Sequence, residues 1–502
     1  MNLSWWLAIA PEIALTILLF VVLLYHRLVK PDEHRQVGLF TAWGGFAVLL
    51  LTLGLWFFAG EPNGNLGLDE SLIWGGMLRH DLVTLVFRVM FQSALVLVSL
   101  ISMDSRFLQK SEYYALLITA TIGFDLMAAS ADLIMLYIAL EMASISSYIL
   151  AGFITTSNRS SEAGMKYFIY GAFATGIMLY GMSLIYGITT QTNLYVVGQM
   201  VMSAPDLPPE ISGVFLLAAV MIAVGFGFKI SAVPFHFWTP DVYEGSPTPF
   251  TAFVSTASKA AGFAVFVRLF MAGTVGAPVR DTPWWAMLVA MCIVTMILGN
   301  FLAIFQSNIK RMLAYSSIAQ AGYALIGLVS LTSDRSPDGV GATMFYLLMY
   351  VFTNIAAFGV IVIFSNITGS DEMSDLSGLS RRSPYLALVM MLALLSLGGI
   401  PPTAGFLGKF FIFKAAVDAG FWWLALIGIL NAFIALYYYL SVIKYMYLYR
   451  SDEEDIAIPV SRAGQVGLAI SSFFIIFLGV YAGPAFRWTT AAAAAFFSVF
   501  SG

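Results

Sequence analysis

Four ionisable side chains, Glu141, Lys229, Lys259 and Lys409, stand in stretches otherwise too apolar to lie anywhere but in a lipid bilayer. Insertion scales put a charge at the centre of a membrane helix at roughly 2.5 to 3.5 kcal/mol, so such groups are kept for pairing or for function. Apolar surroundings disfavour an ammonium ion, and a nearby carboxylate retains it. A lysine whose carboxylate partner moves away or is protonated therefore passes its proton onward. Glu141 is the natural partner for Lys229, and a switchable pair of this kind suits proton or ion movement. Lys229 precedes Pro234, and Lys409 follows the run Gly398, Gly399, Ile400, Pro401, Pro402. Two of the lysines thus lie beside prolines, which remove a backbone donor and break helices.

Other charged residues have simpler readings available. Asp132 follows Ser130 and reads as a helix-start residue, with Glu141 about 14 Å deeper at helical rise. Lys166 lies near the end of its apolar stretch, where a charge that orients the chain explains it as readily as a place on the input side. His236, beside Pro234, could carry a proton near neutral pH or be a satisfied structural histidine. Arg88, Arg268, Lys414 and Lys444 stand near the ends of apolar stretches, where long side chains snorkel to the interface by default. Asp125 and Glu12 have no partner that the sequence names.

The elements that must hold these residues are membrane helices. The chain is 60% hydrophobic and 10% charged with a mean hydropathy of +0.87, outside the range of soluble domains. With about 20 apolar residues needed per crossing, about fourteen spans are expected. They run near 4–26, 37–59, 82–103, 113–130, 132–156, 164–189, 211–241, 248–273, 284–305, 309–332, 340–366, 384–417, 421–448 and 464–483. The seventh and twelfth are too long for straight spans and contain the prolines. Broken backbone at that depth needs protein or a water-filled cavity around it.

Lys and Arg concentrate in the odd-numbered loops, whereas the even-numbered loops and termini hold only Arg79, Arg280, Arg335 and Arg487. The positive-inside rule then puts the odd loops in the cytoplasm and both termini on the other side. No polar connection is long enough to build a soluble core. Residues 192–203 could form a short amphipathic helix or an ordered loop, and the tail 488–502 reads as interfacial or frayed. Glu12 interrupts any signal-peptide core, so the first helix is expected to remain as a span.

Cys292 is the lone cysteine, and the four histidines are scattered. That is too little for an iron–sulfur cluster, a zinc site or a bis-histidine haem. A net charge of −4 without a basic tail gives nucleic acid no foothold. If the protein serves a redox process, it carries no electrons itself.

The segment from Lys229 to Pro249, KISAVPFHFWTPDVYEGSPTP, resembles the hallmark of the antiporter-like subunits of respiratory complex I. Its wording after Pro234 is closer to the N-type subunits than to the M and L types, which tend to read Leu-Pro-Asp-Ala-His there. Further matches are GIPPTAGFLGK (399–409), EAGMKYF (162–168) with Gly171 and Ala172, KRMLAYSS (310–317), and Pro11 with Glu12. The resemblance implies an all-α polytopic fold of about fourteen transmembrane helices, in which helices 4–8 and 9–13 form two inverted repeats with helices 7 and 12 broken. It divides the chain into an N-terminal three-helix segment (1–110), a first repeat (111–275), a second repeat (282–450) and a last helix with tail (451–502).

Carried to the matching positions, Glu141 and Lys229 would gate the channel, Lys259 would be the central relay and Lys409 the residue that releases protons to the outer half-channel. Lys166 would sit on the input side. The resemblance further implies a proton-translocating subunit of NADH-quinone oxidoreductase in a bacterial inner membrane, with no catalytic centre or cofactor of its own. NADH, FMN, iron–sulfur clusters and quinone would belong to other subunits, and antiporter-like subunit M and the small subunits K and J would be neighbours. The competing readings are a subunit of a multi-subunit cation/proton antiporter, a membrane-bound hydrogenase or ferredoxin-dependent relative, and a scaffold whose charges only pair with one another.

Overall fold

Short polar side chains start the helices. Asp81 accepts from Thr84 N at 2.9 Å ahead of the helix Leu82–Ser102, and Asp132 accepts from Ile134 N at 2.8 Å and Met135 N at 3.2 Å ahead of Leu133–Ala151. Asn308 caps Ile309–Val329 through Lys310 N (2.9 Å) and Arg311 N (3.2 Å). Each cap satisfies backbone donors that the first turn leaves unpaired. The computed structural model describes residues 3–30, 33–59, 72–202, 209–273, 284–331, 338–451 and 456–498. Arg280 and Arg335 of the topology count fall outside them.

In chain order the helices are α1 (Ala10–Leu28), α2 (Arg35–Ala59), α3 (Leu82–Ser102), α4 (Ser111–Ala129), α5 (Leu133–Ala151) and α6 (Asn158–Thr189). Then come α7a (Pro209–Ile230) and α7b (Trp238–Gly245), followed by α8. That helix comprises Thr248–Phe253, a π-helical turn Val254–Ser258 and Lys259–Gly273. The second half holds α9 (Trp285–Ile304), α10 (Ile309–Val329), α11 (Asp338–Thr368), α12a (Pro384–Gly398), α12b (Ala404–Asp418), α13 (Trp422–Leu448), α14 (Arg462–Val480) and α15 (Gly483–Ser498). Leu194–Met202 is a short helix, one of the two readings open for 192–203, and Leu72–Ile73 pairs with Leu78–Arg79 in a small antiparallel hairpin.

Among the described residues, twelve helices are long and apolar enough to cross a membrane. α4 and the α12a–α12b pair do not meet that test individually, and adding them would give the fourteen spans expected. α8 and α11 are wholly enclosed and α3 and α10 nearly so, whereas α1, α6, α13 and α14 turn most of their apolar surface outward. Lipid is as apolar as leucine, so helix contact here rests on close packing through small residues. Gly123 lies against Ala143, Gly299 against the Ala319 backbone and Gly164 against Gly152.

The breaks are built from the expected prolines. After Ile230 the chain leaves the helix at Ser231 (φ 63°), passes the cis Val233–Pro234 bond and resumes at Trp238. Freed backbone groups find partners: Val233 N donates to Thr295 Oγ1 (2.9 Å), and Trp238 Nε1 donates to Phe228 O (3.0 Å). The second break runs through Gly399 (φ 81°) and the cis Pro401–Pro402 bond. There Gly405 N donates to Ser396 Oγ at 3.1 Å, and a Cβ on Gly405 would collide with the Ser396 carbonyl oxygen. Gly405→Ala is expected to destabilise by about 1 to 3 kcal/mol, the usual cost of overpacking. A lowered thermal midpoint or poorer assembly would report it, with Gly176→Ala, which meets open space, as the silent control.

Three sequence expectations change. The tail is not frayed: α15 buries Thr489, Ala492, Ala493 and Phe496 against α11 and α3. Arg88 and Arg268 do not snorkel, both being 1% exposed. Arg88 Nη2 lies 2.6 Å from Glu12 Oε1, which gives Glu12 its partner, and Asp125 Oδ2 accepts from Gln92 Nε2 at 3.1 Å. Interior partners replace the membrane interface because α1 and α3 both pack on α4, and α8 packs on α3 and α4.

Candidate functional site

Lys229 ends α7a and is 2% exposed. Its ammonium donates to Ser144 Oγ on α5 at 3.1 Å and lies 5.5 Å from the Phe124 ring. Glu141, one turn earlier on α5, is half-buried with Oε1 enclosed, and it is the acidic charge that acts on Lys229. The two do not touch. Ser144 occupies the place of the direct ion pair, so the carboxylate biases the ammonium without clamping it.

Glycine 262 brings the next lysine alongside. A Cβ there would lie 3.3 Å from Lys229 Cγ, so the Lys229 stem rests on α8 one turn beyond Lys259. The π turn immediately precedes Lys259; such bulges often mark functional sites. Lys259 is 2% exposed and donates to the Ser317 carbonyl on α10 at 2.7 Å, with a second, very short bond to Ser317 Oγ. Tyr243 OH and Ser317 Oγ lie 3.3 Å apart.

A polar stripe on α10 extends from Ser317 toward Lys409. Ser316, Ser317, Gln320 and Tyr323 share one face at helical spacing. Gln320 Nε2 donates to Leu397 O (3.2 Å) and Tyr439 OH (3.1 Å), and Tyr346 OH donates to Gln320 Oε1. Lys409, on α12b, donates to that same Leu397 carbonyl at 2.7 Å and to Gly398 O at 3.3 Å. The break thus exposes the last carbonyls of α12a, and the lysine caps them where the helix dipole favours a cation. Lys409 also lies 4.8 Å from the Tyr323 ring, and Tyr323 OH accepts from Asn300 Nδ2 at 3.0 Å.

Among the described residues Lys229, Lys259 and Lys409 form no ion pair, each holding hydroxyl or carbonyl oxygens instead. A lysine without a fixed counter-charge can exchange a proton without leaving a carboxylate stranded. That distinguishes these three from Lys166, which pairs with Asp241 (2.6 Å) and Glu162 (2.7 Å). Asp241 and Glu244 on α7b each accept from Arg311 at 2.8 Å, and with Arg159 these groups line an open polar recess. His236 is buried in the first break, its ring 4.4 Å from Phe237 and its Nδ1 unpaired. Pro234, Pro401 and Pro402 all lie in non-helical backbone with exposed rings.

The structure therefore adds Ser144, Ser317, Gln320, Tyr439, the Leu397 carbonyl and the Asp241–Arg311 pair to the residues singled out from sequence. The α10 stripe had a readable signal in its spacing. Ser144 and a carbonyl exposed by a break had none.

A family model described as NADH:quinone oxidoreductase/Mrp antiporter, TM, matches residues 130–435. A curated relative, NADH-quinone oxidoreductase subunit N from Moorella thermoacetica, is 41% identical over 486 residues, covering 96% of this chain and 97% of that protein. A chain in the structure of respiratory complex I from Thermus thermophilus with bound Aureothin superposes with a TM-score of 0.76 at 30% identity, covering 95% of this chain and 98% of that one. A chain of the archaeal membrane-bound sulfane sulfur reductase shares the fold at a TM-score of 0.84 and 23% identity, over 98% of each chain.

Proposed function

Because the chain belongs to the NADH:quinone oxidoreductase/Mrp antiporter family, we infer that it is a proton-translocating membrane-arm subunit of an NADH-quinone oxidoreductase. It is a multi-pass membrane protein that works within that complex. We assign it no redox step: NADH, FMN, iron–sulfur clusters and quinone act in other subunits, and subunits M, K and J are its neighbours. It sits in a bacterial inner membrane with fourteen spans, arranged as inverted repeats of helices 4–8 and 9–13, and with both termini outside the cytoplasm.

The observation that supports the relay is that Lys259 and Lys409 meet the same polar face of α10: Lys259 donates to Ser317, and Lys409 shares the Leu397 carbonyl with Gln320, three residues further along that helix. Protons enter by the recess around Lys166 and by His236. While Glu141 is ionised, Lys229 keeps its proton. Protonation or displacement of Glu141 removes that hold, and the proton passes to Lys259 across the Gly262 contact. It then follows the α10 stripe to Lys409 and leaves on the far side. Quinone reduction supplies the change at Glu141 through charges in adjoining subunits.

Glu141→Ala and Lys229→Ala are expected to lower proton pumping on the order of a hundredfold, the scale on which a positioned proton-transfer group acts. Quinone reduction and proton uptake should be measured together in membranes carrying each variant. Wild-type pumping in the Lys229→Ala complex ends the relay assignment. The antiporter reading is separated by what co-purifies: cation-antiporter partners without flavin or iron–sulfur subunits would favour it.

A further inference from the structure

An apolar groove opens between α2, α3 and α14, away from the relay. Its floor is Ala42, Leu100, Met103 and Ala463, a small cluster separate from the main core. Its walls are outward-facing: Leu39 (40% exposed), Trp43 (65%) and Val466 (51%) stand along it. In a membrane such walls meet acyl chains, and a groove this deep admits a chain rather than merely touching one.

Only one end of the groove is charged. Arg35 and Arg462 stand there, at the starts of α2 and α14. Among the described residues that contact these arginines, Asp104 is the carboxylate, and Arg35 Nη2 pairs with it at 2.8 Å. The other Asp104 oxygen accepts from Ser461 Oγ, so Asp104 is fully occupied. Arg462 is exposed, and among the described residues no hydrogen bond or ion pair engages its guanidinium. Among the described residues, two guanidiniums beside one carboxylate place a net positive charge at the mouth of an apolar slot.

We propose that this groove is a binding site for an anionic phospholipid, one acyl chain lying along Leu39, Trp43 and Val466 and the phosphate held by Arg462 with Arg35. Basic pockets between membrane helices select anionic headgroups, and a planar guanidinium pairs with phosphate through two parallel bonds. A zwitterionic lipid fits the slot equally well and loses part of the attraction at the mouth, so selectivity resides in the arginines and retention in the slot.

The whole complex should be reconstituted in phosphatidylcholine vesicles doped with phosphatidylglycerol carrying a photoreactive acyl chain, with phosphatidylcholine bearing the same chain in parallel. Mapping of the labelled peptides is expected to place the anionic probe on segments 39–46 and 463–470, with roughly fivefold preference over the zwitterionic one. Arg462→Glu should abolish the preference, and its exposed, unpaired side chain makes a folding defect an unsuitable explanation. Ala463→Trp, which fills the floor and keeps both arginines, should remove labelling by both probes. Equal labelling by the two probes overturns the proposal, as does cross-linking of this face to a neighbouring subunit in place of lipid. Loss of the preference with inorganic phosphate alone, while Ala463→Trp still labels normally, overturns it too, since the mouth would then be an ion site independent of the groove.

Discussion

Lys259→Ala is expected to cut proton pumping on the order of a hundredfold while the complex still assembles. The side chain bridges α8 and α10 through Ser317 alone, with both acceptors on one residue. Truncation leaves Ser317 short of a donor, a loss worth about 1 to 3 kcal/mol, which a chain with this much buried contact tolerates. What it removes entirely is the exchangeable group between the Lys229 stem at Gly262 and the stripe leading to Lys409. The informative companion is Lys259→Arg. Arginine keeps a positive charge within reach of Ser317 and does not release its proton in proteins, so a structural charge would be rescued and a relay would not. Pumping restored in Lys259→Arg would show that charge alone suffices there. Ser317→Ala keeps the carbonyl acceptor and should lower pumping only severalfold, measured as protons moved per quinone reduced.

That Glu141, Lys229, Lys259 and Lys409 lie inside the helix array was legible because a charge in an apolar stretch is conspicuous, and the breaks because proline and glycine announce them. What joins these residues was not. Ser144 reads as a small packing residue in a membrane helix, where serine also permits close approach. The Leu397 carbonyl becomes an acceptor only because the helix stops, and no side chain signals it. Arg88 and Arg268 differ for a related reason: a long cation near a span end snorkels by default, and only the packing brings Glu12 on α1 to Arg88 and Asp81 at the start of α3 to Arg268. The tail was a different failure. Thr489, Ala492, Ala493 and Phe496 already follow a helical period, but its shortness drew attention from the stripe.

Arg268→Ala is expected to cost about 3 to 5 kcal/mol, the loss that follows removal of one partner of a buried pair. Arg268 Nη2 and Nη1 take the two oxygens of Asp81 at 2.8 and 3.1 Å, and the same guanidinium donates to Thr84 Oγ1 (2.6 Å), Tyr195 OH (3.1 Å) and the Ala128 carbonyl. One side chain on α8 therefore ties the start of α3, the end of α4 and the short helix at Leu194–Met202. Arg79, 3.3 Å from Asp81, lies between the rings of Tyr195 (4.8 Å) and Phe496 (4.4 Å), which brings α15 into the same knot. Arg268→Lys should rescue little, since an ammonium cannot reproduce the planar fork. The pH dependence has a definite sign. Burial alone would push the Asp81 carboxyl up, but Arg268 and Arg79 outweigh it and hold the group well below its ordinary value of 3.8. A carboxyl lowered in the folded state stabilises fully above its unfolded value and loses that contribution as pH falls through the folded one. The thermal midpoint of the wild-type complex should thus exceed that of Arg268→Ala most at neutral pH, with the gap narrowing in acid as Asp81 is protonated in both. Equal midpoints at neutral pH, or a gap that widens in acid, would show that the knot does not hold these helices together.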